Sequence, residues 1–202
     1  AEDIAYVMRV QRDGELRSPC LEVGAGTAGL NFRDRLEEKG IAYFSADAPA
    51  HAPTDFVFDL EAPLEQIRQC LGDRQEFGTV LATNVLEHLF DPVRALDNLL
   101  GLLGPRGTLV LTSPLVWPLH GFPRDHYRLH PDFYVEYCRR RGVCLSPDHF
   151  EYLGYGPVER FRDPQGGYIF PPPTLSRYRS LKSRLVHKLF DTPARNLFFP
   201  PH

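Results

Sequence analysis

The residues best suited to chemistry by type and spacing are three glycines near the amino terminus. Gly24, Gly26 and Gly29 follow a short apolar run at 20–23 and precede a helix-compatible segment at 30–39. A glycine has no Cβ, so the backbone can turn sharply there and a ligand can approach it closely. The first N–H groups of the following helix point toward the same place. The stretch therefore predicts a strand, a tight turn and a helix that together hold a nucleotide.

A carboxylate just before the glycines narrows the choice of ligand. The spacing Gly-x-Gly-x-x-Gly also fits dinucleotide-binding sites, so the glycines alone do not choose a cofactor. Glu22 stands two residues before Gly24. A carboxylate held there repels a pyrophosphate and attracts the cationic amino acid end of S-adenosylmethionine. We therefore expect Glu22, Gly24, Ala25 and Gly26 to bind S-adenosylmethionine.

Two further carboxylates follow the next predicted strands. Asp47, with Ala48 after it, stands about 20 residues beyond the glycines, where a carboxylate can accept both ribose hydroxyls of an adenosine. Asp59 can accept the exocyclic amine of adenine, while Leu60 covers a face of the ring. Each aspartate also has a structural alternative. Asp47 suits a solvated strand end, and Asp59 suits a cap for the following helix.

Several motifs in order carry a family resemblance. The run Glu22–Gly29 resembles the first motif of class I S-adenosylmethionine-dependent methyltransferases. The run Val85–Leu89, with Asp91-Pro92 soon after, is similar to the fourth-strand motif of the small-molecule members, and Leu102–Leu109 is similar to a later motif. The resemblance covers residues 18–145.

The resemblance implies a cofactor, a reaction and further site residues. The cofactor is S-adenosylmethionine and the product S-adenosylhomocysteine. The methyl group goes to an oxygen or nitrogen atom of a small or medium acceptor, such as a sugar, glycan or natural-product scaffold. Thr83, Asn84 and His88 are implied to line the methionine end of the cofactor. The alternative is a non-catalytic module that binds S-adenosylmethionine and serves a partner protein.

A proline-stiffened segment at 113–128 suits the acceptor side, since long loops above the carboxyl edge of a sheet carry substrate-binding groups. His120 or His126 is expected to act as general base or to orient the acceptor, because imidazole titrates near neutrality. Asp125 is expected to fix the histidine tautomer. The side chains expected to contact the acceptor are Trp117, Tyr127 and Arg128. Alternatively, Asp125 and Arg128 pair to pin the loop. The histidines are too loosely spaced to predict a metal site.

Hydrophobic periodicity predicts the elements that position these residues. Strands are expected at 19–23, 41–46, 55–60, 79–84 and 108–112, and helices at 4–10, 29–39, 64–71, 92–103 and 131–141. Residues 104–107 are expected to form a turn. Such alternation predicts an α/β, Rossmann-like, doubly wound and mostly parallel sheet of six or seven strands with helices on both faces.

The chain is expected to be a single domain, 1–202, with a cofactor-binding core at 18–145 and a loop-rich region at 154–202. That region includes edge strands near Tyr152 and Tyr168 and a closing helix with Leu181, Leu185 and Leu189 on one face.

Charge is distributed unevenly along the chain. The net charge is −3, yet residues 160–202 carry eight basic and two acidic side chains. This basic tail suits docking on the domain itself, on an anionic partner or on an anionic surface. The acidic remainder disfavours nucleic acid binding.

No apolar run approaches the ~20 residues of a membrane span. The four cysteines form no CxxC pair, which favours reduced thiols in the cytoplasm. The oligomeric state is left open.

Overall fold

The computed structural model describes residues 2–26, 32–48, 54–115, 124–152 and 159–160. The helices are α1 (Glu2–Arg12), α2 (Arg33–Glu37), α3 (Leu64–Leu71), α4 (Pro92–Gly101) and α5 (Pro131–Arg141), with a 3-10 turn at Leu86–His88. The strands are β1 (Cys20–Val23), β2 (Tyr43–Asp47), β3 (Phe56–Val57), β4 (Phe77–Thr83), β5 (Leu103–Thr112), β6 (Glu151–Tyr152) and β7 (Glu159–Arg160).

Five strands form one sheet in the order β3-β2-β1-β4-β5, and every neighbouring pair is parallel. Glu22 in β1 stands beside Ser45 in β2 and Leu81 in β4. The chain moves outward in one direction from β1 to β3 and then returns to the other side of β1 with β4. Ligands of such sheets bind at the carboxyl edge near this reversal. The Rossmann-like α/β fold is confirmed, with five strands in this sheet among the described residues where six or seven were predicted.

Two apolar clusters cover the two faces of the sheet, because alternate strand residues point to opposite faces. On the first face, Val7 and Val10 of α1 pack with Leu36 of α2 against Cys20 and Leu81. The second face is covered by α3, α4 and α5, and its buried members include Leu21, Val23, Ile67, Leu71, Val80, Leu96, Leu99 and Tyr137. Helices therefore lie on both faces, as predicted.

Most predicted boundaries are off by one to three residues, and two predicted elements, the turn at 104–107 and the strand at 55–60, differ more. Residues 104–107 lie inside β5 as a bulge, because Phe77 pairs with Leu103 while Thr79 pairs with Thr108. Arg106 has a φ of +61°, so the turn signal of this Gly-Pro-Arg-Gly run marks a kink within the strand. The strand predicted at 55–60 is only Phe56–Val57; before it the Asp55 side chain accepts hydrogen bonds from Ser45 of β2, and after it the Asp59 side chain accepts the Glu61 amide in a turn. The predicted strand near Tyr168 and the helix containing Leu181, Leu185 and Leu189 lie outside the described residues.

The chain divides into two compact units, Ala1–Val143 and Cys144–His202. In the second unit β6 pairs antiparallel with β7, through Glu151 with Arg160 and Tyr152 with Glu159. This pair lies near one of the two predicted edge strands. The single domain over 1–202 stays a prediction. Among the helices that the structure describes, none is long and apolar enough to cross a bilayer.

Gly24 directly after β1 is required by its surroundings. Its φ is +74°, and a Cβ built on it would lie 2.4 Å from Cγ2 of Val85. Gly40, at the end of the α2 region, has a similar φ of +76° but no atom within 4 Å of such a Cβ. The two glycines therefore share the backbone requirement, and only Gly24 is also closely packed.

We expect Gly24→Ala to lower the free energy of unfolding more than Gly40→Ala. The positive φ costs about 1 kcal/mol at either position, and the clash with Val85 adds about 1–3 kcal/mol at position 24. Urea unfolding measures both. The double variant Gly24→Ala/Val85→Ala should show favourable coupling, because the second change removes the clashing methyl group. Equal losses in the two single variants would contradict the close packing of Gly24.

Candidate functional site

The glycine loop is held by the end of β2. The amides of Gly24 and Ala25 both donate to the carbonyl of Ala46, at 2.9 and 3.2 Å. The amide of Gly26 donates to Oδ2 of Asp47 at 2.7 Å. These bonds place the loop and the Asp47 carboxylate side by side at the carboxyl edge of the sheet, where the sequence predicted a shared cofactor site.

The Asp47 carboxylate is half-buried, and each of its oxygens already accepts one backbone hydrogen bond. Oδ2 accepts the Gly26 amide, and Oδ1 accepts the amide of Ala48 at 2.7 Å. A carboxylate oxygen has two lone pairs, so each oxygen can still accept a hydroxyl. The Asp47 side chain therefore both shapes the loop and retains the capacity expected for binding ribose hydroxyls.

Glu22 is buried directly before the glycine loop. Its side chain is 2% exposed and points toward the α1–α2 face. Oε2 accepts the hydroxyl of Tyr43 at 2.5 Å and the amide of Phe32 at 3.1 Å. Burial raises the pKa of Glu22 to about 7, although these two hydrogen bonds oppose the rise. Glu22 therefore connects β1, β2 and the start of α2, and its contact with the methionine amino group stays a prediction.

Asp59 and Leu60 follow β3, and each makes a contact within the protein, while their predicted adenine contacts stay predictions. The Leu60 side chain is 5% exposed and belongs to the core on the α3–α4 face. Oδ1 of Asp59 accepts the amide of Glu61 at 2.8 Å, in a turn just before α3. The alternative that Asp59 caps the following helix is wrong, because the N-cap residue of α3 is Pro63 and receives no side-chain hydrogen bond, so Asp59 stabilises only the turn before it. Its carboxylate is exposed and keeps spare acceptor capacity.

The end of β4 brings Thr83 and Asn84 to the same edge. Asn84 has a φ of +53°, its amide donates to the carbonyl of Thr112 at 2.9 Å, and its side chain is exposed. Nδ2 of Asn84 donates to Oδ2 of Asp3 at 3.1 Å, which brings the start of α1 to this edge. The backbone at Asn84 therefore turns away from the sheet beside the glycine loop, whose Gly24 meets Val85.

The carboxyl-terminal part of the 113–128 segment is hydrogen-bonded to the turn after β4. Nδ1 of His88 donates to the carbonyl of Arg124. The amide of His126 donates to the carbonyl of Glu87 at 2.7 Å, and the Tyr127 hydroxyl donates to the carbonyl of Phe90 at 3.0 Å. His88, predicted to line the cofactor, thus holds this segment in place.

The imidazole of His126 is exposed and sits in an aromatic cluster. It lies edge-to-face with Phe90 at 5.9 Å between ring centroids, and its centroid is 6.2 Å from that of Tyr127. Phe90 is itself 73% exposed and Tyr127 36%. These three rings form an open surface next to the carboxyl edge, where an acceptor could be reached.

Asp125 and Arg128 form the predicted structural pair. Oδ2 of Asp125 accepts Nη2 of Arg128 at 2.6 Å, and Oδ1 accepts Nη1. At the start of the same segment, the hydroxyls of Ser113 and Tyr134 are 2.7 Å apart. Both ends of the acceptor segment are therefore tied to the sheet edge. Trp117 and His120 lie outside the described residues, so the role of Asp125 toward His120 stays a prediction.

Sequence reasoning missed Tyr43 and Phe90. Tyr43 stands beside Cys20 in the parallel register and contacts Glu22 on the diagonal. A tyrosine at an inward position of a strand, next to a strand with an inward glutamate, is a signal for such a pair. Phe90 gave a weaker signal, since an apolar residue before Asp91-Pro92 suits a buried position equally well.

The raised pKa of Glu22 predicts a pH-dependent stability. The folded protein keeps a proton on Glu22 at pH values where the unfolded chain has released it. The protein is therefore most stable at low pH, and this contribution to stability is lost as the pH rises through about 7. We expect this group to lower the free energy of unfolding by about 3 kcal/mol between pH 4.5 and 8. Glu22→Gln should remove this slope, whereas Glu37→Gln, an exposed change in α2, should keep it. Urea titrations at several pH values test this, and parallel curves for wild type and Glu22→Gln would contradict it.

Comparisons with known proteins agree with this architecture. Residues 4–169 match a family described as a methyltransferase domain. Among curated proteins, no sequence matches the chain significantly.

Solved structures share the fold at low identity. A SAM-dependent methyltransferase from Archaeoglobus fulgidus is 16% identical with a TM-score of 0.50, over 70% of this chain and 69% of that one. The CurJ carbon methyltransferase is 18% identical with a TM-score of 0.50, over 67% of this chain and 44% of its own. A complex of the Haloferax volcanii Trm112 activator with a methyltransferase contains a chain that is 16% identical, with a TM-score of 0.48 over 92% and 88%. Because the family match covers most of the chain, the protein belongs to the methyltransferase-domain family and is a class I S-adenosylmethionine-dependent methyltransferase.

Proposed function

We propose that the protein transfers a methyl group from S-adenosylmethionine to an oxygen or nitrogen atom of a small or medium acceptor, such as a sugar, glycan or natural-product scaffold. The observation that carries the proposal is that the glycine loop and the 113–128 segment meet at the same edge of the sheet. The glycine loop with Asp47 lies after β1 and β2, and the acceptor segment is fastened after β4 and β5. The exposed aromatic rings beside that segment suit a ring-bearing acceptor.

The cofactor fits the residues on its side of the site. The Asp47 carboxylate has free lone pairs for ribose hydroxyls, and the sharp turn at Gly24 and Gly26 leaves room for close approach. Thr83 and Asn84 border the position assigned to the methionine end. When bound, the sulfonium supplies an activated methyl group and a good leaving group.

The acceptor side provides a base at an accessible position. As a hydroxyl or amine accepts the methyl group, it must lose its proton, and the exposed imidazole of His126 can take it. The backbone bond from His126 to Glu87 holds this residue at the edge. Arg128 keeps Asp125 in place, which stabilises the turn that presents His126 and Tyr127. His120 and Trp117 remain assigned to the same side by the sequence alone.

The surroundings of the enzyme are also part of the proposal. Cys20, Cys70, Cys138 and Cys144 are all free thiols, which suits the reducing cytoplasm. The basic residues of 160–202 suit contact with an anionic partner or surface.

Calorimetric titration with S-adenosylmethionine is the first test. We expect micromolar binding by the wild type and at least a tenfold loss in Asp47→Ala, because the ribose acceptors and the bond to the Gly26 amide both disappear. Asp73→Ala, an exposed change before β4 at the opposite edge of the sheet, should bind like wild type. Binding of NADH in place of S-adenosylmethionine would overturn the cofactor assignment.

Turnover tests the acceptor side. Release of S-adenosylhomocysteine is measured over a panel of hydroxyl and amine acceptors, and the best acceptor is then used for the variants. We expect His126→Gln to lower kcat about 10²–10⁴-fold with little change in cofactor affinity, because only the proton acceptor is lost. His130→Gln, an exposed change just before α5, serves as the control. Wild-type turnover by His126→Gln would remove His126 from the mechanism and leave His120.

A further inference from the structure

One buried oxygen joins both sides of the glycine loop. Oε2 of Glu22 accepts the Phe32 amide, which lies just beyond the loop, and the Tyr43 hydroxyl from β2. Glu22 itself stands just before the loop on β1. The start and the end of the loop are therefore connected through a single carboxylate, and Tyr43 is its side-chain donor among the described residues.

Tyr43 is also held from its other side. The guanidinium of Arg33, the first residue of α2, lies over the Tyr43 ring at 4.7 Å from the centroid. Nη2 of Arg33 donates to Oδ2 of Asp55 at 2.6 Å. The same oxygen accepts the amide and the hydroxyl of Ser45, both at 2.8 Å. The start of α2 is thus tied to β2 through the ring of Tyr43 and through Asp55, while the hydroxyl of Tyr43 is tied to Glu22.

The remaining surroundings of Glu22 supply little to hold its charge. Cys20 on the same strand is buried, and its pKa is raised by burial and by the charge of Glu22. From β4 the neighbouring residue is Leu81, and from α1 Val7 and Val10 pack on this face. Arg33 lies on the ring side of Tyr43. Among the residues that the structure describes, the orientation of the carboxylate therefore depends on the Tyr43 hydroxyl and the Phe32 amide.

We propose that Tyr43 is a positioning residue for cofactor binding, whose hydroxyl holds the Glu22 carboxylate on the Phe32 amide and thereby fixes the exit of the glycine loop. The inference rests on the proposed binding of S-adenosylmethionine at this loop and adds a residue that does not contact the cofactor. Its effect passes through Glu22 and the backbone of Phe32.

The geometry gives this role a pH signature. The hydrogen bond from Tyr43 favours the ionised form of Glu22 and so lowers its pKa, which burial nevertheless raises to about 7. The ionised carboxylate accepts both hydrogen bonds strongly, whereas the protonated group must use its hydroxyl as a donor. Removal of the Tyr43 hydroxyl raises the pKa of Glu22 further. The anchored loop then forms only at higher pH.

The chain contains a matched control on the opposite face of the sheet. The hydroxyl of Tyr137 donates to Oδ1 of Asp97 at 2.7 Å, and the guanidinium of Arg141 lies over the Tyr137 ring at 5.6 Å from the centroid. Tyr137 is 7% exposed. Tyr137→Phe therefore removes a part-buried hydrogen bond between tyrosine and carboxylate, away from the glycine loop.

The test is the dissociation constant of S-adenosylhomocysteine between pH 6 and 9 for wild type, Tyr43→Phe and Tyr137→Phe. We expect wild-type affinity to rise through a midpoint near pH 7. Tyr43→Phe should bind about tenfold more weakly at pH 7.5, with its midpoint moved to higher pH and most of the affinity regained at pH 9. Tyr137→Phe should keep the wild-type midpoint. An unchanged profile in Tyr43→Phe, or an equal loss in Tyr137→Phe, would overturn the proposal.

Hydrogen exchange of the Phe32 amide, followed by NMR without ligand, separates this inference from the proposed function. We expect Tyr43→Phe to speed exchange at Phe32 at pH 7.5 while the amide of Leu81 in β4 keeps its protection. If the wild type binds no S-adenosylhomocysteine, the proposed function fails and the exchange result decides the anchor alone. Unchanged exchange at Phe32 would then overturn the anchor as well.

Discussion

The buried carboxylate of Glu22 is the constraint on which the cofactor side depends. A charge with 2% exposure is unfavourable, and the raised pKa of Glu22 expresses that cost. What the carboxylate provides is a junction between β1, β2 and the start of α2. Hydrophobic packing alone could place these elements side by side, but it could not specify the orientation of a backbone amide such as that of Phe32. A hydrogen bond to an anion is directional and does so.

The position of the described part of the glycine loop depends on this junction and on the end of β2. The carbonyl of Ala46 and the carboxylate of Asp47, both at the end of β2, receive three successive amides of the loop. Gly24 then meets Val85, so β4 limits the loop from the other side. The described part of the glycine loop is therefore held mainly by backbone groups at the centre of the sheet, where β1 has a parallel neighbour on each side.

Local patterns predicted most of the fold and only part of the site. The helices at 64–71 and 131–141 have the predicted bounds, because their apolar spacing and their flanking glycines and prolines act within a few residues. The glycine loop and Asp47 were recognisable for the same reason. The partner of Glu22 was not, since Tyr43 is 21 residues away and becomes its neighbour only through the register of β1 and β2. The burial of Leu60 was not predicted either, because it lies three residues beyond the two-residue strand β3 and no strand periodicity assigns it to the core face.

Several polar side chains described on the proposed acceptor side are engaged in hydrogen bonds within the protein. His88 holds Arg124, Asp125 holds Arg128, and Glu61 accepts the amides of Phe90 and Asp91 ahead of α4. These groups fix the backbone that carries His126 and leave its imidazole exposed. Such a division suits methyl transfer, in which much of the acceleration comes from holding the acceptor in line with the methyl group. A rigid turn that presents an exposed imidazole meets that requirement better than a cluster of ionisable groups would, since each added charge would have to be desolvated when the acceptor binds.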